Sequence, residues 1–274
     1  MTASEAITKS RLHAYWKVMM MSAREDRANP LRIAGSVGLG VVRMILIAAI
    51  YKVAYELTHT TALPYENAIW SMGLYFAFIV GLSVRNVFRL IEKDVKDGNV
   101  EVSLIKPLDW RAVKICQQIG KNLLEFSVLV VAFFATLAIV VGFPDISHFS
   151  PVFIGGYLLI MLLAILSASA MFLMVGLTAF WLNDSQSVYR IVDRTIMVFG
   201  GSFVPIALLP GAVQDVLRYS PVGVYGASTQ LFNPGLVKYL IPTLIASAAW
   251  SVVLLFFCQL VWRRAERRIE VNGG

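Results

Sequence analysis

Charge is scarce in this sequence. Only 15% of its 274 residues are Asp, Glu, Lys or Arg, against 58% that are hydrophobic. Soluble domains carry about 25% charged residues, so the shortage excludes an ordinary soluble domain and points to an integral membrane protein. Cysteine is nearly absent. Cys116 lies in a basic segment and Cys258 in an apolar run, a placement that indicates neither a disulfide framework nor a metal–thiolate site. The histidines are His13, His59 and His148, all in terminal or loop segments, and no Ser/His/Asp or metal-ligand grouping stands out. The chain therefore reads as a non-enzyme without a cofactor of its own. It also lacks the phosphate loop G-x-x-x-x-G-K-[ST], because Gly120-Lys121-Asn122 has no upstream glycine. If nucleotide drives the protein, a separate subunit must bind it. The first thirty residues lack the order of basic start, apolar core and small-residue cleavage site, so no cleaved signal peptide is expected.

What is present is a series of apolar runs. Before them, Leu12, Tyr15, Trp16, Met19 and Ala23 recur at helical spacing, with Lys9, His13, Lys17 and Arg24 on the other side. That is an amphipathic helix suited to a membrane interface or to a partner surface. Six spans follow: Ile33 to Leu57, Ala68 to Val84, Leu123 to Phe143, Val152 to Phe180, a fifth from about Thr195, and Tyr239 to Trp262. The chain divides into an interfacial segment (1–32), a six-span domain (33–262) and a basic tail (263–274). A spanning helix needs about 20 residues, and in the first span no such window avoids both Arg43 and Lys52. Intramembrane charges are costly and usually face protein or water. Arg43 either faces an inner path or subunit contact, or snorkels to one surface while Lys52 reaches the other. Lys121 and Glu125 are spaced to pair, and Ala164 with Ala168 is a small-residue contact motif. The second span is expected to continue as a rigid helix to Lys96. Asn183 to Arg194 reads as a short polar loop in which Arg190, Asp193 and Arg194 neutralise one another. The fifth span is short, because Pro205 and Pro210 follow soon after Thr195. Ala212 to Tyr219 is then a small amphipathic helix closed by Pro221, which together suggests a broken, re-entrant region.

The charges are sided. Of the 24 Lys and Arg residues, 20 lie in segments 1–32, 85–121, 183–194 and 263–274, and the opposite loops 58–67 and 143–151 hold none. The positive-inside rule then places both termini in the cytoplasm. The net charge of +7 is thus accounted for by membrane lipid and orientation, without nucleic acid.

The one long polar interval is Arg85 to Lys114. In it, Asp97-Gly98-Asn99 stops a helix, since Gly and Asn tolerate left-handed backbone. Residues Val100 to Lys106 alternate apolar and polar, which favours a short strand, while a short helix capped by Asn99 competes. Asp109 is placed to cap the helix that enters the third span, with Trp110 near the interface. Apolar residues in a polar loop also suggest a docking surface.

Two stretches carry a resemblance. Asp94 to Leu108, DVKDGNVEVSLIKPL, resembles the cytoplasmic segment between spans 2 and 3 of six-span, type II ATP-binding-cassette (ABC) exporter permeases. Gly200 to Gly226, GGSFVPIALLPGAVQDVLRYSPVGVYG, looks like that family's Gly-rich fifth span with its paired prolines and short amphipathic helix. The resemblance implies an all-α fold in a prokaryotic inner membrane, with a re-entrant helical region around Pro205, Pro210 and Pro221. It implies that Gly98 to Pro107 is a coupling helix docking on a cytosolic ABC ATPase, the site of ATP and Mg binding. Gly98, with Asp97, would form the turn, Leu104 and Ile105 the apolar contacts, and Glu101 and Lys106 the rim, ahead of Pro107. Cargo would move between two permeases, and Lys106-Pro107-Leu108 is most like a branch whose two permeases are different chains. A self-contained secondary transporter or channel is the main alternative; a membrane enzyme and an assembly factor are more distant ones.

Overall fold

The computed structural model describes residues 3–26, 30–59, 63–200, 206–222, 226 and 230–272. The described chain is helical throughout, with no strand among these residues. Helix α1 covers Ala3–Asp26 and α2 Pro30–Thr58. Helix α3 (Tyr65–Phe76) passes into a π-helical stretch, Ala77–Leu82, and a 3-10 turn, Val84–Asn86. Then come α4 (Val87–Lys96), α5 (Asn99–Leu104), α6 (Trp110–Val140) and α7 (Pro151–Leu177). Helix α8 is Gln186–Phe199, α9 is Gly211–Arg218 and α10 is Leu236–Asn272.

Among the described residues, four helices are long and apolar enough to cross a membrane: α2, α6, Pro151–Phe180 and Leu236–Arg268. Helix α7 is the central pillar, with 56% of its most apolar window buried against 17%, 22% and 22% for the other three. It packs along α10 through small residues. Ala164, Ser167 and Ala168 are buried on α7, as are Thr243, Ser247 and Ser251 on α10. The Ser167 and Ser251 hydroxyls meet at 2.9 Å. Small side chains let the two backbones approach, which is the main source of contact between helices in lipid. The end of the bundle beside the α6–α7 loop is rich in aromatics. Trp70 lies against Phe134, Phe143 and Phe232, and its indole N–H donates to the Gly142 carbonyl at 2.8 Å.

The second span is not one rigid helix. Its continuation beyond Leu82 is broken at Ser83, whose φ of 44° is left-handed. The break frees backbone carbonyls at the buried residues Leu82 and Ser83, where an unpaired polar group is costly. Two buried amides of α6 answer it: Gln118 donates to the Ser83 carbonyl and Asn122 to the Leu82 carbonyl, each at 3.3 Å. The polar stretch before the fifth span is also helical, since α8 begins at Gln186. Asp193 lies 3.8 Å from Arg85 of the second span, while Arg190 and Arg194 donate to the Gln186 carbonyl and to Met197 Sδ. The three therefore do not form a local set. Lys121 and Glu125 do not pair either. The buried Glu125 carboxylate takes Arg32 at 2.8 Å and Ser36 at 2.5 Å, so it ties α6 to the start of α2. Pro205 lies outside the described residues; Pro210 begins α9, and Pro221 follows it in a turn. The basic residues Arg263 to Arg268 continue the helix of the last span.

Helix α1 is seated on α6. Its Tyr15 hydroxyl accepts from the Asp109 backbone N–H at 3.1 Å, and Ser22 is buried. At the crossing, a Cβ on Gly120 would overlap the Met19 carbonyl oxygen. Leu12 and Trp16 remain exposed, 63% and 55%, so the expected apolar face is divided between α6 and the surroundings. Gly120→Val should force this crossing apart. The expected cost is about 1–3 kcal/mol, read as a lower thermal unfolding temperature in detergent and as new protease cleavage in α1. An unchanged cleavage pattern would show that α1 is not held there.

Candidate functional site

The polar interval folds into two short helices set at a turn. Helix α4 ends at Asp97, and Gly98 turns the chain with φ +70°. That conformation suits glycine, which has no Cβ to clash. Residues Asn99–Leu104 then form α5, so the alternating pattern folds as a helix rather than a strand. Asn99 is its first residue and not its cap; Gly98 holds the cap position, without any side-chain hydrogen bond. The alternation is misleading because only Val100 is buried. Val102, Leu104 and Ile105 are 63%, 42% and 85% exposed, so the apolar residues are shared between an anchor and a free edge. Asp97, Glu101, Lys106 and Pro107 are exposed around that edge. The structure thus brings the seven predicted residues of this segment together on one projecting element.

The anchor is stronger than the sequence suggests. Val100 joins a cluster with Val87, Ile91, Trp110 and Trp262, so α5 is fixed to α4, α6 and α10. Asp109 caps α6 as expected, accepting from the N–H groups of Arg111 and Ala112. Burial alone would raise its pKa, but Arg111 and these two N–H groups hold it below the usual carboxylate range. Arg111 also reaches Gln259 at 2.8 Å and lies 5.0 Å from the Trp262 ring centre. A small cleft of about 220 Å³ opens here, lined by Leu104, Leu108, Trp110, Gln259, Trp262 and Glu266 among others.

Two carboxylates that the sequence does not single out, Glu92 and Asp94, prove to be buried. Asp94 accepts from the Trp110 indole N–H at 2.8 Å and from Lys114 at 2.6 Å, which ties α4 to α6. Glu92 accepts from Lys96 at 2.8 Å, from the buried Ser185 hydroxyl at 2.7 Å and from Gln186 at 2.8 Å. Between this point and Arg85–Asp193, Phe88 stacks on Tyr189 at 4.6 Å. Helix α4 and the first turns of α8 thus run as an antiparallel ladder. The only sequence signal for it was weak: Glu92 and Lys96 at i, i+4, with a second acid at Asp94.

Arg43 lies elsewhere, on the exposed side of α2, with its guanidinium 4.1 Å from the Phe76 ring centre. An aromatic face can hold a cation partly removed from water.

Against this geometry, the sequence pattern of a family described as ABC-2 family transporter protein matches residues 37–273. The chain belongs to the ABC-2 transporter family. It is therefore an integral membrane protein and a permease subunit of the ABC class. No curated protein matches it. Within this permease, α5 and its supports correspond to the residues expected of a coupling segment.

Glu92 is the test of the supports. Burial favours its neutral form, but Lys96, Ser185 and Gln186 outweigh that and hold its pKa below the usual carboxylate range. A carboxyl with a lowered folded-state pKa contributes stability above its unfolded pKa and loses it as pH falls through the folded value. Acidification below the ordinary carboxylate range should therefore destabilise the wild type more than Glu92→Gln. Glu92→Ala should cost about 1–3 kcal/mol, because Ser185 is left buried without its partner. Lys96→Ala should cost no more than about 1 kcal/mol, because that lysine is half exposed. Thermal unfolding in detergent across pH measures all three, and equal losses from the two alanine variants would refute the hub.

Proposed function

We propose that this chain is one of two permeases in an ABC exporter of a prokaryotic inner membrane, and that α5 is its contact with a cytosolic ABC ATPase. In this reading ATP and Mg bind to a dimer of that ATPase, and the permease is not itself an enzyme. The observation that carries it is the free edge of α5. Val102, Leu104 and Ile105 stand exposed at the end of an otherwise polar projection, and apolar side chains so placed mark a protein contact. Glu101 and Lys106 would be the polar rim. Gly98 would set the angle of the projection, and Pro107 would end it.

Force applied to α5 would pass through Val100 and the Gly98 turn into α4. From there it would divide, through Asp94 toward α6 and through Glu92 toward α8. The break at Ser83 weakens direct transmission into the second span, so the ladder to α8 becomes the stiffer route. Six spans follow if α3 with its π-helical extension counts as the second and α8 with the residues beyond it as the fifth. Both termini are then cytoplasmic, in accord with the basic segments. The region of Pro205, Pro210 and Pro221 would be the re-entrant pair of short helices on the outer side. Its last described helix is held by Trp250, whose indole N–H donates to the Tyr219 carbonyl at 2.7 Å. Export, and a pair of different permeases, follow from the resemblance of the Lys106-Pro107-Leu108 segment.

A self-contained carrier or channel would need a carboxylate available to a coupling ion within the spans. Glu125, buried in α6, is instead engaged by Arg32 and Ser36. Leu104→Asp with Ile105→Asp should leave membrane insertion intact and abolish co-purification of an ATPase from the native membrane. Both residues are exposed, so the variant should fold. Unchanged co-purification would remove the docking assignment, and no ATPase with the folded wild type would favour the self-contained carrier.

A further inference from the structure

The outward stripe of α8 has an unusual composition for a helix at the edge of a bilayer. Tyr189 and Ile196 face the protein, while Arg190, Ile191, Arg194 and Val198 are exposed along the other side. Their spacing places them on one face of a 3.6-residue helix. Opposite lies α4, whose Phe88 stacks on Tyr189, with Arg85 and Arg89 in the positions flanking that ring. Arg85 lies 3.8 Å from Asp193. Among the described residues Arg89, Arg190 and Arg194 have no carboxylate at ion-pair distance, although the charge of Arg190 is felt by the exposed Asp184. Arg190 reaches only the Gln186 carbonyl, and Arg194 only Met197 Sδ, each at 3.4 Å.

Unpaired guanidiniums are not left facing hydrocarbon. Here they occupy the Gln186 end of α8, and the exposed stripe becomes apolar toward Val198. Guanidinium planes match the oxygens of a phosphate in paired hydrogen bonds, and an apolar strip beside them matches acyl chains.

We propose that the exposed face of α8, with Arg89, Arg190 and Arg194, seats a lipid carrying an anionic phosphate headgroup, and that such an anionic amphiphile is the class of molecule this permease moves. The headgroup lies at the exposed edge where α4 and α8 meet, and the chains run along Ile191 and Val198. The assignment of the lipid as cargo rests on the permease reading. It also gives the ladder between α4 and α8 a purpose, since a movement of the coupling segment is delivered to the helix that holds the cargo.

The test uses the full chain alone, in nanodiscs of phosphatidylcholine with a minor fraction of phosphatidylglycerol. Spin-labelled phosphatidylglycerol and spin-labelled phosphatidylcholine are compared for the immobilised fraction at the protein. The wild type should select phosphatidylglycerol. Arg89→Gln with Arg190→Gln and Arg194→Gln, all at exposed positions, should lower that selectivity by at least about fivefold, the effect of losing one surface charge. Arg263→Gln with Arg264→Gln, on exposed positions of α10, should leave most of it. No selectivity in the wild type would overturn the proposal, as would an equal loss in both variants, which would mean general attraction to a basic surface. A triple variant that keeps its lipid selectivity but loses self-association would also overturn it, by making the stripe a contact between copies. The ATPase co-purification can fail while this binding succeeds, or the reverse, so the two readings are judged separately.

Discussion

The carboxylate of Glu92 carries the arrangement on which the α4–α5 end of this protein depends. A buried carboxylate is tolerated only when its oxygens are fully engaged. Glu92 meets that condition by drawing together three donors, one from its own helix and two from the start of α8. The result is directional. Helix α4 cannot slide along α8 without stripping the buried Ser185 of its partner and separating the stacked rings of Phe88 and Tyr189. Asp94 imposes the same restriction toward α6, through Trp110 and Lys114. A short helix with an exposed end is thereby fixed on two sides.

This placement changes how motion would spread. A continuous second span would behave as a lever, with α5 at its end. The left-handed residue at Ser83 replaces the lever with a joint. The joint is built and not frayed, because Gln118 and Asn122 pair with the carbonyls that it frees. Movement of α4 is then carried sideways into α6 and α8 more readily than along its own chain into α3. The tie between Glu125 and the start of α2 belongs to the same scheme, since it holds the first span to the helix that supplies both amides.

Much of this was legible in the residues, for local reasons. Asp109 is followed by a helix because its side chain can take the first free N–H groups, and Gly98 is a turn because it alone accepts that backbone angle without strain. The small helix after Pro210 and the small-residue contact at Ala164 and Ala168 were equally readable. What escaped was set by tertiary context. Val100 to Ile105 alternates because one residue anchors and three are displayed, a division that pattern cannot distinguish from the two faces of a strand. Glu92 fell on a stripe with Arg89 and Lys93, which stay exposed, and only the approach of Ser185 makes the difference. Lys121 had the right spacing for Glu125, but Arg32 from another helix reached it instead. Asp193 likewise turned to Arg85 and away from its sequence neighbours. In each case spacing stated which partner was possible, and packing chose another.

The charges of this protein therefore divide into two populations with different physical standing. The acids are few, and the buried ones, Glu92, Asp94 and Glu125, are each held by donors from a neighbouring helix. They set helix to helix. The bases are many, and Arg89, Arg190 and Arg194 have no carboxylate at ion-pair distance among the described residues. An excess of positive charge near the cytoplasmic surface is enough to orient a membrane protein, and orientation accounts for the basic residues of α1 and α10 without a ligand. It does not account for a pair such as Arg190 and Arg194 on the same exposed stripe as Ile191 and Val198, because orientation needs charge near a span and not a graded surface along one helix. That gradient, from guanidinium to hydrocarbon along one face of α8, is the shape of an amphiphile's own chemistry reversed in sign.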